Sequence, residues 1–313
     1  MSLLDALLLD PSAFHVWVAN RTDMQRGSGT ITDPFHGGLN AQGVSQFDVI
    51  MNLPQVSQPY AVIHLGPGNY VTNGYADGVT GGWQIKLGMK LLGSGIDLTK
   101  LILANVSPGS PTQFYAIGHP LPTAASGMVD GVEIQDLTID GNLAGANSNA
   151  ACGAVRVMGN YARVRRVKVI SWGTKNAGLT CYVISVVTSV SSGGGLEAIN
   201  SGIEDCYAVS PGTTVSSGRV TILNVGGPDD VTPATIEIHA KAPFIRNCYV
   251  DCGVTNPSFS NPMYSALSMS LCRGGVVEGN QVYNTDIGGP FQAFRSIRDL
   301  CARRRESGGK VAV

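Results

Sequence analysis

The segment TIEIHAK, residues 235–241, carries an acid and a base at alternate positions. Side chains two residues apart in an extended strand point to the same face, so Glu237 and His239 have the minimum geometry of a proton-transfer pair. In that interpretation His239 handles the proton and Glu237 tunes the pKa of its partner. The alternative is a solvated strand edge on which Glu237, His239 and Lys241 only form surface ion pairs.

Polar residues also interrupt the apolar strand-like segments AVRVM at Ala154, VTILNV at Val220 and ALSMSL at Ala266. Alternation along a strand puts them on the outward face of these segments. They are Arg156, Asn224, Ser268 and Ser270. We predict that Arg156 joins the catalytic group as a second proton-handling candidate, and that Asn224 and Ser268 bind substrate.

A basic cluster lies just before Trp172 in the sequence, and it consists of Arg163, Arg165, Arg166 and Lys168. Guanidinium groups match carboxylate and sulfate geometry, and an indole ring offers a stacking surface to a sugar. The cluster therefore predicts substrate binding by Arg166, Lys168 and Trp172. The alternative is that these charges are ordinary outward positions of a solvated strand.

Three aspartates are candidates for a cation site: Asp130, Asp140 and Asp251. Calcium needs about six to eight convergent oxygens, but these residues belong to different repeat units. Capping of turns is the preferred interpretation, so we expect no metal and no cofactor, with calcium left as an open alternative. The seven cysteines show no CxxC spacing and so predict no thiolate metal site.

Composition excludes several functions. The net charge is −1, so no overall field attracts nucleic acid, and no apolar run approaches the roughly 18 to 20 residues of a membrane span. No P-loop, Rossmann fingerprint or nucleophile elbow occurs. The opening MSLLDALLLD contains Asp5 and Asp10, so no signal peptide is visible.

A six-residue unit recurs and decides the fold class. In each unit the first, fourth and sixth positions are mostly apolar, and the second and third are polar or Gly. The units are IQDLTI at 134–139, VRRVKV at 164–169, IEDCYA at 203–208, IRNCYV at 245–250, VEGNQV at 277–282 and a degraded IRDLCA at 297–302. The two adjacent polar positions break the period-two pattern of a strand and predict a corner between two short strands.

The third position of the unit is the predicted corner. It holds short polar residues or Gly, which tolerate unusual turn dihedrals, and Arg166 is the exception. Stacking of the units in register puts Leu137, Val167, Cys206 and Cys248 in one interior column. The two cysteines are then expected to stack as free thiols, with a disulfide between them as the alternative.

The strand-like segments between units complete a coil. Val155, Val183, Leu223 and Leu267 within these segments lie 14 to 17 residues after the preceding unit ends, whereas the return connection is long in two neighbouring coils. We therefore predict three strands per coil, with two stacked long loops forming a wall on one side. Insertions on one face of a repeat protein usually carry the binding site.

Residues 47–103 resemble the opening of pectate-lyase-3-type and phage-tailspike-type right-handed β-helices. The similarity rests on IHLGPGNYV at Ile63 and MKLLGSGIDLTKLIL at Met89, after a short helix that Ser45 and Asp48 could cap. The resemblance implies an all-β, right-handed parallel β-helix of the pectate-lyase-like superfamily, with the helix covering its N-terminal end.

That superfamily contains polysaccharide lyases, glycoside hydrolases, epimerases and non-catalytic spikes, so fold alone does not select an activity. The first hypothesis is an extracellular or cell-surface enzyme that cleaves an acidic polysaccharide by β-elimination. The alternative is a non-catalytic glycan-binding or structural β-helix, since the polygalacturonase motif set is incomplete. Neither hypothesis involves nucleic acid or a membrane span.

The whole chain, 1–313, is predicted to form one β-helix domain. Residues 1–58 are expected to be an N-terminal arm and cap, and residues 59–300 the coils. Residues 301–313, with the sequence CARRRESGGKVAV, look irregular and suggest a truncated or frame-shifted end. An open last coil would expose strand edges, so self-association through it is a further expectation.

Overall fold

Parallel β-strands make up nearly all the regular structure of this chain. The structure, a computed structural model, describes residues 14–76, 82–120, 127–176, 178–186, 198–209, 219–226, 240–251, 264–270, 272–283 and 292–295. A five-residue helix α1, Phe47–Met51, and a 3₁₀ turn at Leu143–Gly145 accompany the strands. The all-β prediction is confirmed.

The strands, numbered in chain order, form three sheets within the described residues. The first sheet has 14 strands: β1 (Phe14–Ala19), β2 (Phe35–His36), β3 (Ala61–Leu65), β4 (Gly68–Thr72), β6 (Lys90–Gly93), β7 (Thr99–Leu103), β9 (Glu133–Asp140), β11 (Arg163–Ile170), β15 (Gly202–Glu204), β16 (Tyr207–Ala208), β19 (Phe244–Arg246), β20 (Tyr249–Asp251), β23 (Val276–Glu278) and β24 (Gln281–Tyr283). The second has eight: β5 (Tyr75–Ala76), β8 (Thr112–Gly118), β10 (Ala150–Val157), β12 (Gly173–Thr174), β13 (Thr180–Val186), β17 (Arg219–Gly226), β21 (Tyr264–Ser270) and β25 (Gln292–Arg295). The third has β14 (Ala198–Ile199), β18 (Ala240–Lys241) and β22 (Cys272–Arg273).

The chain returns to the same sheet once per coil. From β15 onward it passes through the first, second and third sheets in turn, and each strand pairs in parallel with its counterpart in the next coil. Two short antiparallel pairs, β5 with β8 and β10 with β12, lie at the margin of the second sheet. This arrangement is the predicted parallel β-helix.

The first position of the repeat unit forms a single inward row. Strand pairing aligns Ile134 with Val164, then Ile203, Ile245 and Val277. The first four are fully buried and belong to one continuous core. Burial of each such side chain contributes about 1.5 to 3 kcal/mol to folding, so the row holds successive coils together.

The predicted corner is a left-handed backbone position in every described unit. The φ angles are 61° at Asp136, 48° at Arg166, 52° at Asp205, 51° at Asn247 and 66° at Gly279. Arg166 follows the same geometry, although it is the one residue at this position that is neither short and polar nor Gly. Its guanidinium donates to both carboxylate oxygens of Asp136, at 2.6 Å each, and this contact stabilises an unfavourable backbone conformation.

The cysteine column is also as predicted. Leu137 pairs with Val167 in the register, and Cys206 and Cys248 follow in the interior as buried free thiols. Burial and the neighbouring Cys248 sulfur raise the pKa of Cys206 well above its ordinary value. These thiols therefore behave as small apolar side chains.

The second sheet bends where two consecutive residues both face the core. Such pairs are Ala154–Val155, Val183–Ile184 and Ile222–Leu223. Val155 aligns with Ile184, and Ile184 aligns with Leu223. Both residues of each pair are apolar and buried, so the sequence pattern alone does not fix which of the two sets the register.

Helix α1 packs its predicted apolar face on the first coil. Phe47 lies 5.8 Å, ring centre to ring centre, from both Tyr70 and Trp83. The expected Ser45–Asp48 capping box does not form, since Gln46 is the N-cap and its side chain accepts no capping hydrogen bond. Both polar side chains are instead used by strand β4.

Strand β4 explains that difference, because within the described residues it pairs only with β7 and leaves its other edge open. The Ser45 hydroxyl donates to the Val71 carbonyl at 2.5 Å. Asp48 accepts from the Thr72 hydroxyl at 2.6 Å and from the Asn73 amide at 2.7 Å. Unpaired edge groups thus attract the side chains that could have capped the helix.

Candidate functional site

A row of polar side chains runs along the outward face of the second sheet. Strand register aligns Arg156 with Ser185, Asn224 and Ser268, one residue from each of four successive coils. We call this row the polar column. All four side chains are buried, with Arg156 the most exposed at 6%. Polar residues at such depth require specific partners, which distinguishes this face from an ordinary solvated sheet.

Arg156 lies over two aromatic rings at one end of the column. Its guanidinium carbon is 5.1 Å from the centre of the Tyr75 ring and 4.8 Å from that of Tyr115. One terminal nitrogen donates to the His119 carbonyl at 3.4 Å. Burial raises the pKa of Tyr115, and the adjacent positive charge opposes this only in part, so the phenol stays protonated.

Asn224 occupies the middle of the column and is fully buried. Its amide nitrogen donates to the Ser185 hydroxyl at 3.1 Å, whereas its amide oxygen accepts no hydrogen bond in the described part of the chain. A buried acceptor without a donor costs about 1 to 3 kcal/mol. A ligand hydroxyl that reached this oxygen would recover part of that free energy.

The predicted basic cluster lies on the first sheet and not beside the polar column. Arg166 is held by Asp136, Lys168 donates to Asp97 at 2.8 Å, and Arg165 faces Glu204 at 3.9 Å. The bond to Asp136 also raises the pKa of Arg166. The predicted site is therefore divided between two faces, and most of the cluster's charge is paired within the protein.

Trp172 does not provide the predicted sugar-stacking surface. Its side chain is fully buried in the main hydrophobic core. The preceding residue, Ser171, has a φ of 53°, so the chain turns sharply after β11 and directs the indole inward. The sequence of the basic cluster before Trp172 does not predict this turn.

The two residues of the proposed proton-transfer pair, Glu237 and His239, lie outside the described residues, as do the two long loops and residues 296–313. Only Ala240 and Lys241 of TIEIHAK are described, as strand β18, and the Lys241 side chain is exposed. The side chain of Ser270 is likewise outside the described set. The catalytic assignment of Glu237 and His239 stays a prediction.

Two of the candidate carboxylates accept hydrogen bonds from amide groups. Asp130 accepts from the Asn160 backbone and side-chain amides, at 2.7 and 3.0 Å, and Asp140 accepts from the Asn142 amide at 2.9 Å. No group of three or more His, Cys, Asp or Glu side chains among the described residues could hold a metal ion. Asp140 therefore fits the expected turn capping, whereas Asp130 joins two segments 30 residues apart, and calcium stays an open alternative.

Sequence reasoning missed four residues of this site: Ser185, Tyr75, Tyr115 and His119. Ser185 follows two adjacent apolar residues, Val183 and Ile184, and these obscure the alternation that would mark it as outward-facing. Tyr75 and Tyr115 are brought together by the antiparallel pairing of β5 with β8, for which the repeat gave no signal. Correct counting from the double apolar bend would have identified Ser185.

No helix among the described residues is long and apolar enough to cross a bilayer. No protein-family model matches the chain, and no curated protein matches it either.

Among solved structures, the chain is similar to the A-module of Azotobacter vinelandii mannuronan C-5 epimerase AlgE6. The identity is 15%, the match covers 77% of this chain and 70% of that module, and the TM-score is 0.34. The corresponding values for the AlgE4 A-module of the same organism are 16%, 71%, 65% and 0.31. Similarity at this level transfers no function.

Proposed function

We propose that this protein binds an acidic polysaccharide along the polar column and cleaves it by β-elimination. The observation that carries the proposal is the column itself, with one polar side chain per coil and a cation at one end. A linear polymer aligned with the coil axis meets a repeated set of polar contacts. Because the four side chains are at most 6% exposed, the proposal requires that polymer binding opens this face. Arg156 then pairs with a uronate carboxylate, while Asn224, Ser185 and Ser268 hydrogen-bond sugar hydroxyls.

The reaction needs a base beside a uronate. The base removes the proton on the carbon next to the carboxylate, a carbon–carbon double bond forms, and the glycosidic carbon–oxygen bond breaks at the neighbouring carbon. The departing oxygen then takes up a proton. We assign proton handling to His239, with Glu237 tuning its pKa and Arg156 stabilising the charged carboxylate or acting as the second proton carrier.

The finer architecture belongs to the same proposal. The order of the three sheets supports coils of three strands, and the known preference of parallel crossovers supports a right-handed winding. Contacts of α1 with the first coil support its role as a cap. We propose a single β-helix domain acting outside the cell or at its surface.

The experiment measures the ultraviolet absorbance of unsaturated uronate products with pectin, alginate and glycosaminoglycans, each with and without calcium. Product formation that His239→Ala abolishes and that Arg156→Lys lowers at least about tenfold supports the lyase. Arg165→Ala, on the other sheet, serves as the control and is expected to retain full activity. Absence of product and of binding across the panel contradicts the proposal.

A second candidate is a non-catalytic glycan-binding β-helix. The observation in its favour is that Arg156 lies over two tyrosine rings, whose faces stabilise the charged guanidinium and so oppose its action as a base. This candidate predicts saturable binding of an acidic polymer with no absorbing product. It also predicts that His239→Ala leaves the affinity unchanged.

A further inference from the structure

Three tyrosines form a row on the outward face of the first sheet, one in each of three successive coils. Tyr207 aligns with Tyr249 in the strand register, whereas Tyr283 in the next coil aligns with Asp251 and lies diagonally beside Tyr249. The ring centres of Tyr207 and Tyr249 are 6.4 Å apart, and those of Tyr249 and Tyr283 are 5.0 Å apart. We call these three residues the tyrosine strip.

The two outer rings of the strip are open to solvent, with Tyr207 45% and Tyr283 47% exposed. Adjacent strands lie about 4.8 Å apart, so the 6.4 Å separation means that Tyr207 is displaced sideways from Tyr249 and part of each ring face is uncovered. A contiguous aromatic row at the surface costs hydrophobic free energy that a buried core ladder does not. Stacking of one coil on the next does not by itself require the Tyr207 and Tyr283 rings to be exposed to solvent.

The strip is flanked by one charged residue of each sign, Lys168 in the coil before Tyr207 and Asp251 beside Tyr283 in the register. Lys168 precedes Tyr207 in the register, but its ammonium is paired with Asp97 at 2.8 Å. At the other end the Tyr283 hydroxyl contacts the Gln281 side chain at 3.2 Å. Rings therefore offer apolar area, and phenolic and amide groups beside them offer hydrogen bonds.

We propose that the tyrosine strip is a second polysaccharide-binding surface, separate from the polar column. It contacts the apolar C–H faces and hydroxyls of successive sugar rings in a chain that runs parallel to the coil axis. The inference rests on the proposed function for the identity of the polymer. It adds a site on another sheet, whose chemistry depends on ring contacts and not on the uronate charge.

Shape and polarity both favour a sugar chain over a second protein molecule. A row only one ring wide and one ring per coil suits a linear polymer, whereas a protein interface needs a broad patch of about 800 Å² on each partner. Each exposed ring carries a hydroxyl, which matches a ligand rich in hydroxyl groups. Because contacts between rings and sugars are not ionic, we expect binding at the strip to depend less on salt than binding at Arg156.

The experiment compares the full-length protein with a variant carrying Tyr207→Ala, Tyr249→Ala and Tyr283→Ala. Affinity for long-chain alginate, polygalacturonate, heparin and neutral dextran is measured by calorimetry at low and high salt. We expect the triple variant to lose at least about tenfold in affinity for a bound polymer, with the loss persisting at high salt. Affinity equal to that of the parent at both salt concentrations overturns the proposal.

Two controls separate folding and self-association from binding. The triple Tyr→Phe variant keeps the rings and is expected to retain most of the affinity, while Phe14→Ala removes a ring of similar exposure, 44%, at the far end of the same sheet and is expected to change nothing. A triple Ala variant that melts like the parent yet differs only in oligomeric state, by sedimentation, assigns the strip to a second copy of the chain and overturns the proposal.

The outcomes also distinguish this inference from the proposed function. If acidic polymers bind and are cleaved but the strip variants behave as the parent, only the strip fails. If neutral dextran alone binds, and binding is lost in the triple Ala variant, the strip stands and the acidic-polysaccharide proposal fails.

Discussion

The outward faces of the first and second sheets differ sharply, although both alternate with a buried core face. On the first sheet the outward residues are ion pairs such as Arg246–Glu278, at 2.9 Å, and half-exposed tyrosines. On the second sheet the outward residues are Arg156, Ser185 and Asn224, all buried. Alternation in the sequence therefore identifies which residues point outward, but not what covers them.

This difference separates two energetic situations. Exposed cross-strand ion pairs are screened by water and contribute little, about 0 to 1 kcal/mol each. A buried polar group that loses its partner cannot bond to water instead, so the loss of one contact on the second sheet should cost more free energy than on the first. We therefore expect substitutions on the second sheet to lower the free energy of unfolding more than substitutions on the first sheet.

The largest difference is expected between Arg156→Ala and Arg165→Ala. Removal of Arg156 eliminates two ring contacts and leaves a cavity, so we expect the free energy of unfolding to fall by about 2 to 4 kcal/mol. Removal of Arg165, whose partner Glu204 is 3.9 Å away, should cost about 1 kcal/mol or less. Chemical denaturation of both variants measures this, and equal losses would show that the two faces are equivalent.

A smaller difference is expected between Ser185→Ala and Gln281→Ala. The first change leaves the Asn224 amide nitrogen buried without its acceptor and should cost about 1 to 3 kcal/mol. The second change affects an exposed side chain and should stay within about 0.5 kcal/mol. The same denaturation assay applies, and a Ser185→Ala protein as stable as the parent would mean that Asn224 finds another acceptor.

A pH-dependent effect is expected for a half-buried group on the first sheet. His64 contacts the His15 ring at 2.9 Å and stacks on Trp17 at 4.8 Å, and burial, followed by the charge of His15, lowers the pKa of His64 from 6.5 to about 4. Between these values the unfolded chain binds more protons than the folded one. The contribution of His64 to the free energy of unfolding is complete above pH 6.5 and is lost as the pH falls towards 4.

Unfolding midpoints of the parent and of His64→Phe, measured from pH 7 down to pH 4, test this expectation. The parent should lose stability faster than the variant through that interval. Parallel curves would mean that His64 is as accessible to protons in the folded chain as in the unfolded one.

The repeat unit predicted the fold well because its signals are local. The apolar first position of each unit, from Ile134 to Val277, predicts a side chain that faces the core. The polar or Gly third position predicts a turn of the backbone. The capping box was wrong because Ser45 and Asp48 bind the open edge of β4, a partner that helix rules do not consider. Tertiary hydrogen bonding replaced a local preference.

The candidate site was harder to predict because it depends on non-local contacts. Arg156, Asn224 and Ser268 were identified from alternation, but Ser185 required the true register. Trp172 was misjudged because a single left-handed residue, Ser171, reverses its direction. By contrast, Tyr207 and Tyr249 share the fifth position of their units, a signal that was present in the sequence and remained unused.

The inward row that links Ile134 to Val277 has a consequence for how such a molecule can change in length. Each coil meets only its two neighbours, so duplication of a complete coil, such as residues 203–244, would present the same surfaces above and below. A duplicated coil would also add one more aromatic ring and one more polar contact along the axis. Growth by whole modules therefore offers a graded route to tighter capture of long ligands, without any redesign of the scaffold.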